Sequence, residues 1–352
     1  MSRRFSRGGR TPSIPRSREG DSADPCEKLH ALRRVLFVLL LLLALPGRAA
    51  AAQPVRSAIF FYPWYSNRAH DGSYAHWQQG AHTPPFDIAS AFFPYRGVYS
   101  SDDPNVLRAQ MRDMRQAGVD EVVSSWWGWG SPEDARLLAV RRAAHRAGLT
   151  LAVQLEPYDG RTIDSIAADL QHLRDIGIRD VYVYRATDFT PEEWAALDLN
   201  LTGLRVFAQT ALIGFAAKAR FAGFYTYDIL TYGGEKFERL CAEAHAVGLL
   251  CAPSVGPGYD AEFATGDPRI KPRDDGATYD SMWRAALGSG VDLVTITSYN
   301  EWSEGTQIEP AGHGGRYETY DGAYGLYGRA AAWAYIRRTA YWTARLAATL
   351  SP

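Results

Sequence analysis

The stretch Val294-Thr-Ile-Thr-Ser-Tyr-Asn-Glu-Trp-Ser-Glu-Gly-Thr-Gln-Ile-Glu309 is the most informative part of the chain. It begins with a β-branched run, Val294 to Thr297, which is typical of a buried strand. The run stops at Ser298-Tyr-Asn, and two carboxylates follow three residues apart, Glu301 and Glu304. Acidic residues directly after a buried strand are expected at the carboxyl edge of a parallel sheet, where α/β folds hold their reactive groups.

The rest of the chain after residue 54 shows the same strand pattern seven more times, with helical stretches between. The candidate strands are 58–62, 121–126, 150–155, 180–184, 204–207, 223–226, 249–253 and 292–297. The candidate helices are near 104–117, 133–147, 162–176, 191–197, 212–219, 234–247, 279–288 and 329–347. Eight strands that each lead to a helix predict a parallel sheet closed into a single (β/α)8 TIM barrel. The alternative is an open doubly wound sheet; a dinucleotide site is disfavoured because no Gly-x-Gly-x-x-Gly follows the first strand.

A barrel of this kind places its active site at the carboxyl ends of the strands. Polar and aromatic residues indeed follow six of the eight predicted strands. These segments are 62–65, 126–129, 156–161, 225–228, 254–260 and 298–309. Two carboxylates beside aromatic residues suit acid/base chemistry on a sugar, because apolar surroundings keep one carboxyl protonated. The alternative for Glu301 and Glu304 alone is an acidic surface loop.

The N-terminal 53 residues are predicted to be a separate leader. Residues 1–32 are rich in Arg, Ser, Pro and Gly and are expected to be disordered. Arg33 and Arg34 then precede an apolar core at 35–45 and a small-residue zone, which predicts a signal peptide or a membrane anchor and an exported protein. The barrel domain is expected to span 54–352. The leader carries ten Lys or Arg and four Asp or Glu, a net charge of +6. Since the whole chain has a net charge of −1, the remainder has −7. A negative net charge disfavours nucleic acid as a partner.

The cysteines leave one question open. Cys241 and Cys251 lie in a helix pattern and a strand pattern, and an exported protein could bridge them. Two buried free thiols are an equal alternative. The Cys and His spacings do not fit a zinc site.

The assembled motifs resemble those of glycoside hydrolase family 99, the endo-α-1,2-mannosidases and endo-α-1,2-mannanases, over roughly residues 57–345. The matching segments are 60–67 (FFYPWYSN), 76–77 (HW), 84–88 (PPFDI), 99–102 (YSSD), 125–127 (SWW), 155–162 (LEPYDGRT), 254–259 (SVGPGY) and 300–309 (NEWSEGTQIE). The resemblance implies a retaining, endo-acting hydrolase of internal α-mannosidic linkages that needs no cofactor or metal.

The resemblance also implies roles for individual residues. Glu301 would take the proton of the substrate's 2-hydroxyl, whose oxygen closes onto the anomeric carbon as a 1,2-anhydro sugar. Glu304 would protonate the leaving oxygen and then activate water. The residues expected around the reacting sugar are Tyr65, His76, Glu156, Tyr225 and Tyr259, with Trp126 and Trp127 stacking on a neighbouring sugar. For His76 the alternative is a structural histidine.

Two departures from the family pattern bear on the substrate. The family has Glu-Trp-His-Glu, whereas this chain has Ser303 between the acids. We expect that position to influence loop packing or a subsite contact rather than the acids themselves. Residues 268–275 look altered and shortened, which affects contacts on the leaving-group side. The chain is expected to act as a monomer on an oligo- or polysaccharide; the alternatives are a glycosidase of the same fold on another α-linked envelope glycan, or a non-catalytic carbohydrate-binding barrel.

Overall fold

Eight parallel strands form the centre of the molecule, as the sequence predicted. The structure is a computed structural model that describes residues 56–199 and 203–349. The strands are β1 (Ser57–Phe61), β2 (Glu121–Trp126), β3 (Thr150–Leu155), β4 (Asp180–Val183), β5 (Arg205–Gln209), β6 (Gly223–Tyr225), β7 (Leu250–Ala252 and Ser254–Val255) and β8 (Val294–Ile296). Each strand pairs with its neighbours in chain order, and β1 pairs with β8.

The strand β7 closes the barrel in two segments. Its first segment pairs with β6, in the register Gly223↔Leu250. Its second segment pairs with β8, in the register Thr295↔Ser254. Pro253 separates the two segments because proline has no N–H to donate to the ladder, although its carbonyl still accepts from the Thr295 N–H at 3.0 Å. The predicted TIM barrel is confirmed.

Helices surround the barrel at the positions that the sequence predicted. They are α1 (Pro104–Gln116), α2 (Pro132–Arg146), α3 (Ile163–Asp175), α4 (Pro191–Ala196), α5 (Ile213–Lys218), α6 (Phe237–Ala246) and α7 (Ala277–Gly288), followed by Gly328–Ala332 and α8 (Ala334–Thr349). Asp103, Ser131, Thr162 and Thr190 cap the first four, each accepting a backbone N–H in the first turn. The predicted final helix at 329–347 is two helices, which meet at Trp333.

Aromatic side chains fill the interior of the barrel. Phe60, Tyr182, Phe207 and Tyr225 are all fully buried. The rings of Tyr182 and Phe207 stack with centroids 4.9 Å apart, and Phe60 contacts both Tyr182 and Tyr225. Rings of this size occupy the centre of the barrel, so the space for a ligand lies above them, at the carboxyl ends of the strands.

Two pairs of short strands and two short helices lie outside the eight-stranded barrel. Phe93–Pro94 pairs with Ala311–Gly312, and Tyr259–Asp260 pairs with Ile270–Lys271. One short helix covers Arg68–Asp71 and another covers Glu262–Thr265.

Cys241 of α6 and Cys251 of β7 form a disulfide, with 5.1 Å between their Cα atoms. None of the helices in the described part of the chain combines the length and apolar character needed to span a membrane. The predicted signal peptide or anchor within residues 1–53 lies outside the described residues.

Candidate active site

A cavity of about 130 Å³ opens at the carboxyl ends of β4, β6, β7 and β8. Two of the predicted site residues, Glu304 and Tyr259, are part of its wall. The full lining is Tyr184, Tyr227, Asp228, Ile229, Leu230, Tyr259, Arg269, Thr297, Glu304 and Thr306. Its polar groups converge from four different strands, so a small polar ligand can be held from several sides.

Glu304 is the acid that faces this cavity. It ends a single 3₁₀ turn, Trp302–Glu304, and remains partly accessible. Burial in the rim, and then repulsion from Asp228 and Asp267, raises the pKa of Glu304 to about 7. A carboxyl with this pKa is protonated in a large fraction of molecules near neutral pH, as a general acid requires.

Glu301 lies behind Glu304 and is buried. Its backbone N–H donates to Ser298 Oγ at 2.9 Å, and the Ser303 hydroxyl donates to its Oε1. Burial, and then repulsion from Glu304, raises the pKa of Glu301 well above its ordinary value, whereas the Ser303 hydroxyl lowers it. The expectation that Ser303 would not act on the acids is therefore wrong, because the tight turn brings its side chain back onto Glu301.

The loop that carries the two acids is clamped to the end of β1. Asn300 Oδ1 accepts from the Tyr62 N–H at 2.8 Å, and Asn300 Nδ2 donates to the Tyr62 carbonyl at 3.0 Å. The Tyr65 hydroxyl donates to the Asn300 carbonyl at 3.0 Å and accepts from the Trp302 N–H at 3.2 Å. Tyr65 is buried, so it positions the acid loop instead of lining the cavity as the sequence predicted.

A third carboxylate from the same stretch, Glu309, anchors the loop. It is completely buried and accepts from Arg96 at 3.1 Å, Tyr99 at 2.8 Å, Gln110 at 3.1 Å and the Trp302 indole at 3.0 Å. Four donors compensate the burial of this charge. Because Trp302 lies between the acids, Glu309 fixes their backbone.

The loop after β7 supports the acid loop on its other side. Gly305 ends the 3₁₀ turn at φ +64°, and a Cβ there would lie 2.8 Å from the Asp260 carbonyl oxygen, so only glycine fits. Arg273, from the segment that departs from the family pattern, donates to the carbonyls of Gly305 and Gln307, both at 2.8 Å. Its guanidinium lies within 4.7 Å of the ring centroids of Phe92, Tyr320 and Tyr335.

Glu156, a predicted site residue at the end of β3, is a buried acid close to the same pair. Ser125 Oγ donates to its Oε1 at 2.8 Å. Burial raises the pKa of Glu156 to about 8, although the hydrogen bonds from Ser125 and Gln154 act in the opposite direction. At neutral pH Glu156 is therefore mainly neutral, and it adds little charge to the surroundings of Glu301 and Glu304.

Tyr227 lies at the cavity, where the sequence predicted Tyr225. Tyr225, predicted to contact the sugar, is the last residue of β6 and is packed inside the barrel against Phe60. Tyr227, two residues further on, lines the cavity, and its hydroxyl shares a hydrogen bond with that of Tyr62. Sequence reasoning missed Tyr227; the signal was its place beyond the end of the strand, since rim residues lie past the last ladder position.

Tyr259 lies where the sequence placed it, on the cavity wall. Its hydroxyl donates to Asp267 Oδ2 at 3.0 Å. Arg269 Nε donates to Asp267 Oδ1 at 2.9 Å, so one carboxylate holds both a phenol and a guanidinium at the rim. Arg269 is a second cavity residue that the sequence did not single out.

The two predicted stacking tryptophans have opposite environments. Trp126 is fully buried, stacks at 6.2 Å on His172 and donates from Nε1 to Asp134 at 3.0 Å. Its assignment as a sugar-stacking residue is wrong, because alternation along β2 turns Ser125 inward and Trp126 outward toward α2 and α3. Trp127, 36% exposed on the rim, keeps an available indole face.

His76 lies on the rim beside the acid loop. Its ring stacks on Trp64, with centroids 4.4 Å apart and planes 4° from parallel. Burial, and then the positive charge of Arg136, lowers the pKa of His76 to about 4, so the imidazole is neutral at physiological pH. Among the residues that the structure describes, no group of three or more His, Cys, Asp or Glu side chains is arranged to hold a metal ion.

A parallel eight-stranded barrel with two carboxyl groups of raised pKa after its last strand defines the class of a barrel glycoside hydrolase. The chain belongs to glycosyl hydrolase family 99, whose sequence model matches residues 55–348. The predicted family is thus confirmed.

Named relatives agree with this placement. The glycoprotein endo-alpha-1,2-mannosidase-like protein of Danio rerio is 32% identical over 311 residues, which cover 72% of this chain and 70% of that protein. The glycoprotein endo-alpha-1,2-mannosidase of Xenopus laevis is 31% identical over 317 residues, covering 72% and 69%. The solved GH99 endo-alpha-mannosidase from Bacteroides thetaiotaomicron superposes with a TM-score of 0.77 at 27% identity, covering 84% of this chain and 99% of that one.

Proposed function

We propose that this chain is a retaining, endo-acting α-mannosidase of the endo-α-1,2 type, which cleaves internal linkages with participation of the substrate's own 2-hydroxyl. The observation that carries the proposal is the unequal pair Glu301 and Glu304 at the cavity. Burial and repulsion from neighbouring acids favour the protonated form of both groups. Glu301 differs because it accepts a hydroxyl hydrogen bond from Ser303, which favours its ionised form.

In the first step Glu301 acts as the base. It takes the proton of the 2-hydroxyl while that oxygen bonds to the anomeric carbon. The bond from this carbon to the leaving oxygen breaks, and Glu304 gives its proton to that oxygen. The products are a 1,2-anhydro sugar and the released part of the glycan. An α-mannoside permits this because its axial 2-hydroxyl lies trans to the leaving group.

In the second step the roles reverse. Glu304, now ionised, takes a proton from water, whose oxygen bonds to the anomeric carbon and opens the epoxide. Glu301 returns its proton to the 2-oxygen. Two inversions at one carbon give net retention, without a carboxylate nucleophile of the usual retaining kind. General acid/base assistance of this sort contributes about two to four orders of magnitude in rate.

The residues around the pair suit a neutral sugar. We propose that Tyr259, His76 and Glu156 contact the sugar at the cleavage point and that Trp127 stacks on its neighbour. Tyr227, which lines the cavity, takes the contact expected of Tyr225. Neutral His76 and protonated Glu156 offer hydrogen bonds without adding charge.

The test is a panel of α-mannosides, including α-1,2-linked mannan and α-glucosyl- and α-mannosyl-1,3-mannosides, with products analysed by mass and anomeric configuration. Internal cleavage with retained configuration is expected. Glu304→Gln and Glu301→Gln should each lower turnover by several orders, and Glu243→Gln, an exposed acid on α6, is the matched control. Azide rescue of Glu301→Gln with an inverted azide product would instead support a carboxylate nucleophile.

We also propose that the chain is exported through residues 33–53 and acts as a monomer on a glycan, without binding nucleic acid. The Cys241–Cys251 disulfide supports export, because disulfides persist in oxidising compartments. Cell fractionation with mass spectrometry of the mature N-terminus tests export, and a retained cytoplasmic protein would refute it. Sedimentation of the purified protein tests the oligomeric state.

A further inference from the structure

Ser303 lies between the two acids, at the position where the family pattern has histidine. Its side chain makes a specific contact. Its hydroxyl donates to Glu301 Oε1. No side-chain hydrogen bond to the Glu304 carboxyl is present among the described residues. The pair is therefore asymmetric: a donor acts on Glu301 alone, although both acids share one buried rim.

The turn that carries Ser303 does not depend on this hydroxyl. The Gly305 N–H donates to the Trp302 carbonyl at 3.3 Å, and the Trp302 N–H donates to the Asn300 carbonyl at 3.0 Å. Tyr65 holds the same backbone from the other side. Main-chain hydrogen bonds and Tyr65 already fix the turn. The Ser303 hydroxyl is therefore not needed to hold the turn and can donate to the Glu301 carboxylate.

Titratable groups surround Glu301 from several elements. Those within electrostatic reach are Glu304 on its own loop, Glu156 after β3, Tyr62 and Tyr65 after β1, and Tyr227 after β6. Burial raises the pKa of each of these tyrosines well above the ordinary value, so the phenols stay neutral in the working range. Glu304 is thus the main competitor with Glu301 for a proton.

We propose that Ser303 is a positioning residue for Glu301: its hydroxyl orients the carboxylate and stabilises its ionised form over its protonated form. This inference rests on the proposed function, since it assigns the base and the acid within that reaction. A neutral donor at this position allows the pair to divide its roles without the histidine found in the family pattern.

The first test is the pH profile of kcat/KM for Ser303→Ala. Without the hydroxyl, Glu301 holds its proton to higher pH, so the acidic limb should move upward by about one pH unit and kcat/KM on that limb should fall about tenfold. Ser303→Thr keeps the hydroxyl and should keep the profile. Ser303→Cys, a weaker donor of similar size, should fall between the two. An equal loss of rate at every pH would overturn the proposal, because that is what a merely structural role predicts.

A second test needs no turnover. Infrared difference spectra of ¹³C-Glu-labelled protein, with Glu301→Gln as the reference, report the pH at which Glu301 loses its proton. We expect this pH to be higher in Ser303→Ala than in wild type and unchanged in Ser303→Thr. Identical titrations in all three would refute the role of Ser303 even if the enzyme cleaves mannosides. A shifted titration in a protein that cleaves none of the panel would refute the proposed function alone.

Discussion

Replacement of Glu156 by glutamine should stabilise the protein as the pH rises. In the folded state burial raises the pKa of Glu156 to about 8, from an ordinary value of 4.5. Between these two values the unfolded chain has lost the proton and the folded chain still holds it. The contribution of Glu156 to the free energy of unfolding is therefore fully present below about pH 4.5 and is lost as the pH rises toward 8.

The magnitude follows from the same two values. Each pH unit in this window lowers the free energy of unfolding by about 1.4 kcal/mol, so the total loss is about 5 kcal/mol as an upper bound. Glutamine cannot ionise and keeps the shape and the hydrogen bond to Ser125. Glu156→Gln should consequently gain about 3 kcal/mol over wild type between about pH 5.5 and about pH 7.5.

Urea unfolding followed by tryptophan fluorescence measures this difference at each pH. Glu243→Gln, which removes an exposed acid, controls for the general effect of one negative charge. The reasoning fails if the advantage of Glu156→Gln over wild type stays constant across the pH range. It also fails if the advantage grows toward acid, which would mean that Glu156 is ionised in the folded protein.

Three further outcomes are expected. The proposed mechanism requires a protonated Glu304, whose pKa is about 7, so kcat/KM should fall as the pH rises through about 7. A substrate whose leaving group needs no proton should lose this alkaline limb; an unchanged limb would assign it to a group other than Glu304. Glu309→Ala should cost about 3–5 kcal/mol in urea unfolding because it removes the acceptor shared by the buried donors of Tyr99, Gln110 and Trp302, although Arg96 keeps Asp113 as a partner. A cost below about 1 kcal/mol would contradict the network. Replacing Cys241 and Cys251 by serine should lower the free energy of unfolding by about 2–4 kcal/mol without reductant. Dithiothreitol should abolish this difference from wild type. Equal stability of the two proteins under oxidising conditions would mean that the thiols are not bridged.

The barrel could be predicted because its signals are local. Each strand is a short apolar run, and helices begin at capping residues such as Ser131 and Thr162. Strand ends agree with prediction or differ from it by at most two residues; at the last strand the ladder, Val294–Ile296, is shorter than the predicted 292–297. The eight-fold count and the place of the acids after the last strand required no tertiary information.

The side-chain directions could not be predicted in the same way. Strands of a parallel barrel are buried on both faces, so apolar alternation does not distinguish the inside from the helix side. Trp126 and Trp127 were therefore equal candidates, although only Trp127 is exposed. The depth of Tyr225 and Tyr227 was ambiguous for a related reason: both point inward, and only the end of the ladder separates core from rim.

Contacts within turns were also beyond the sequence. The Ser303 hydroxyl reaches Glu301 because Trp302–Glu304 form a single 3₁₀ turn directly after Glu301. Gly305 ends this turn and lies close to Asp260. The Cys241–Cys251 bridge likewise depends on how α6 lies against β7. Such contacts are decided by distances of a few ångströms between elements, which spacing along the chain does not report.

The three buried acids link the chemistry of this site to its stability. Glu156, Glu301 and Glu304 cannot all be ionised in one desolvated rim, and the raised pKa of each expresses that constraint. Near neutral pH the acids therefore hold protons among them, and the hydrogen bond from Ser303 favours the negative charge on Glu301, where the proposed base is required. Raising the pH removes the proton from Glu304, which the proposed mechanism requires, and destabilises the folded state through Glu156. Activity and stability should consequently decline on the same, alkaline side of neutrality, and Glu156→Gln should separate them by restoring stability there without restoring activity.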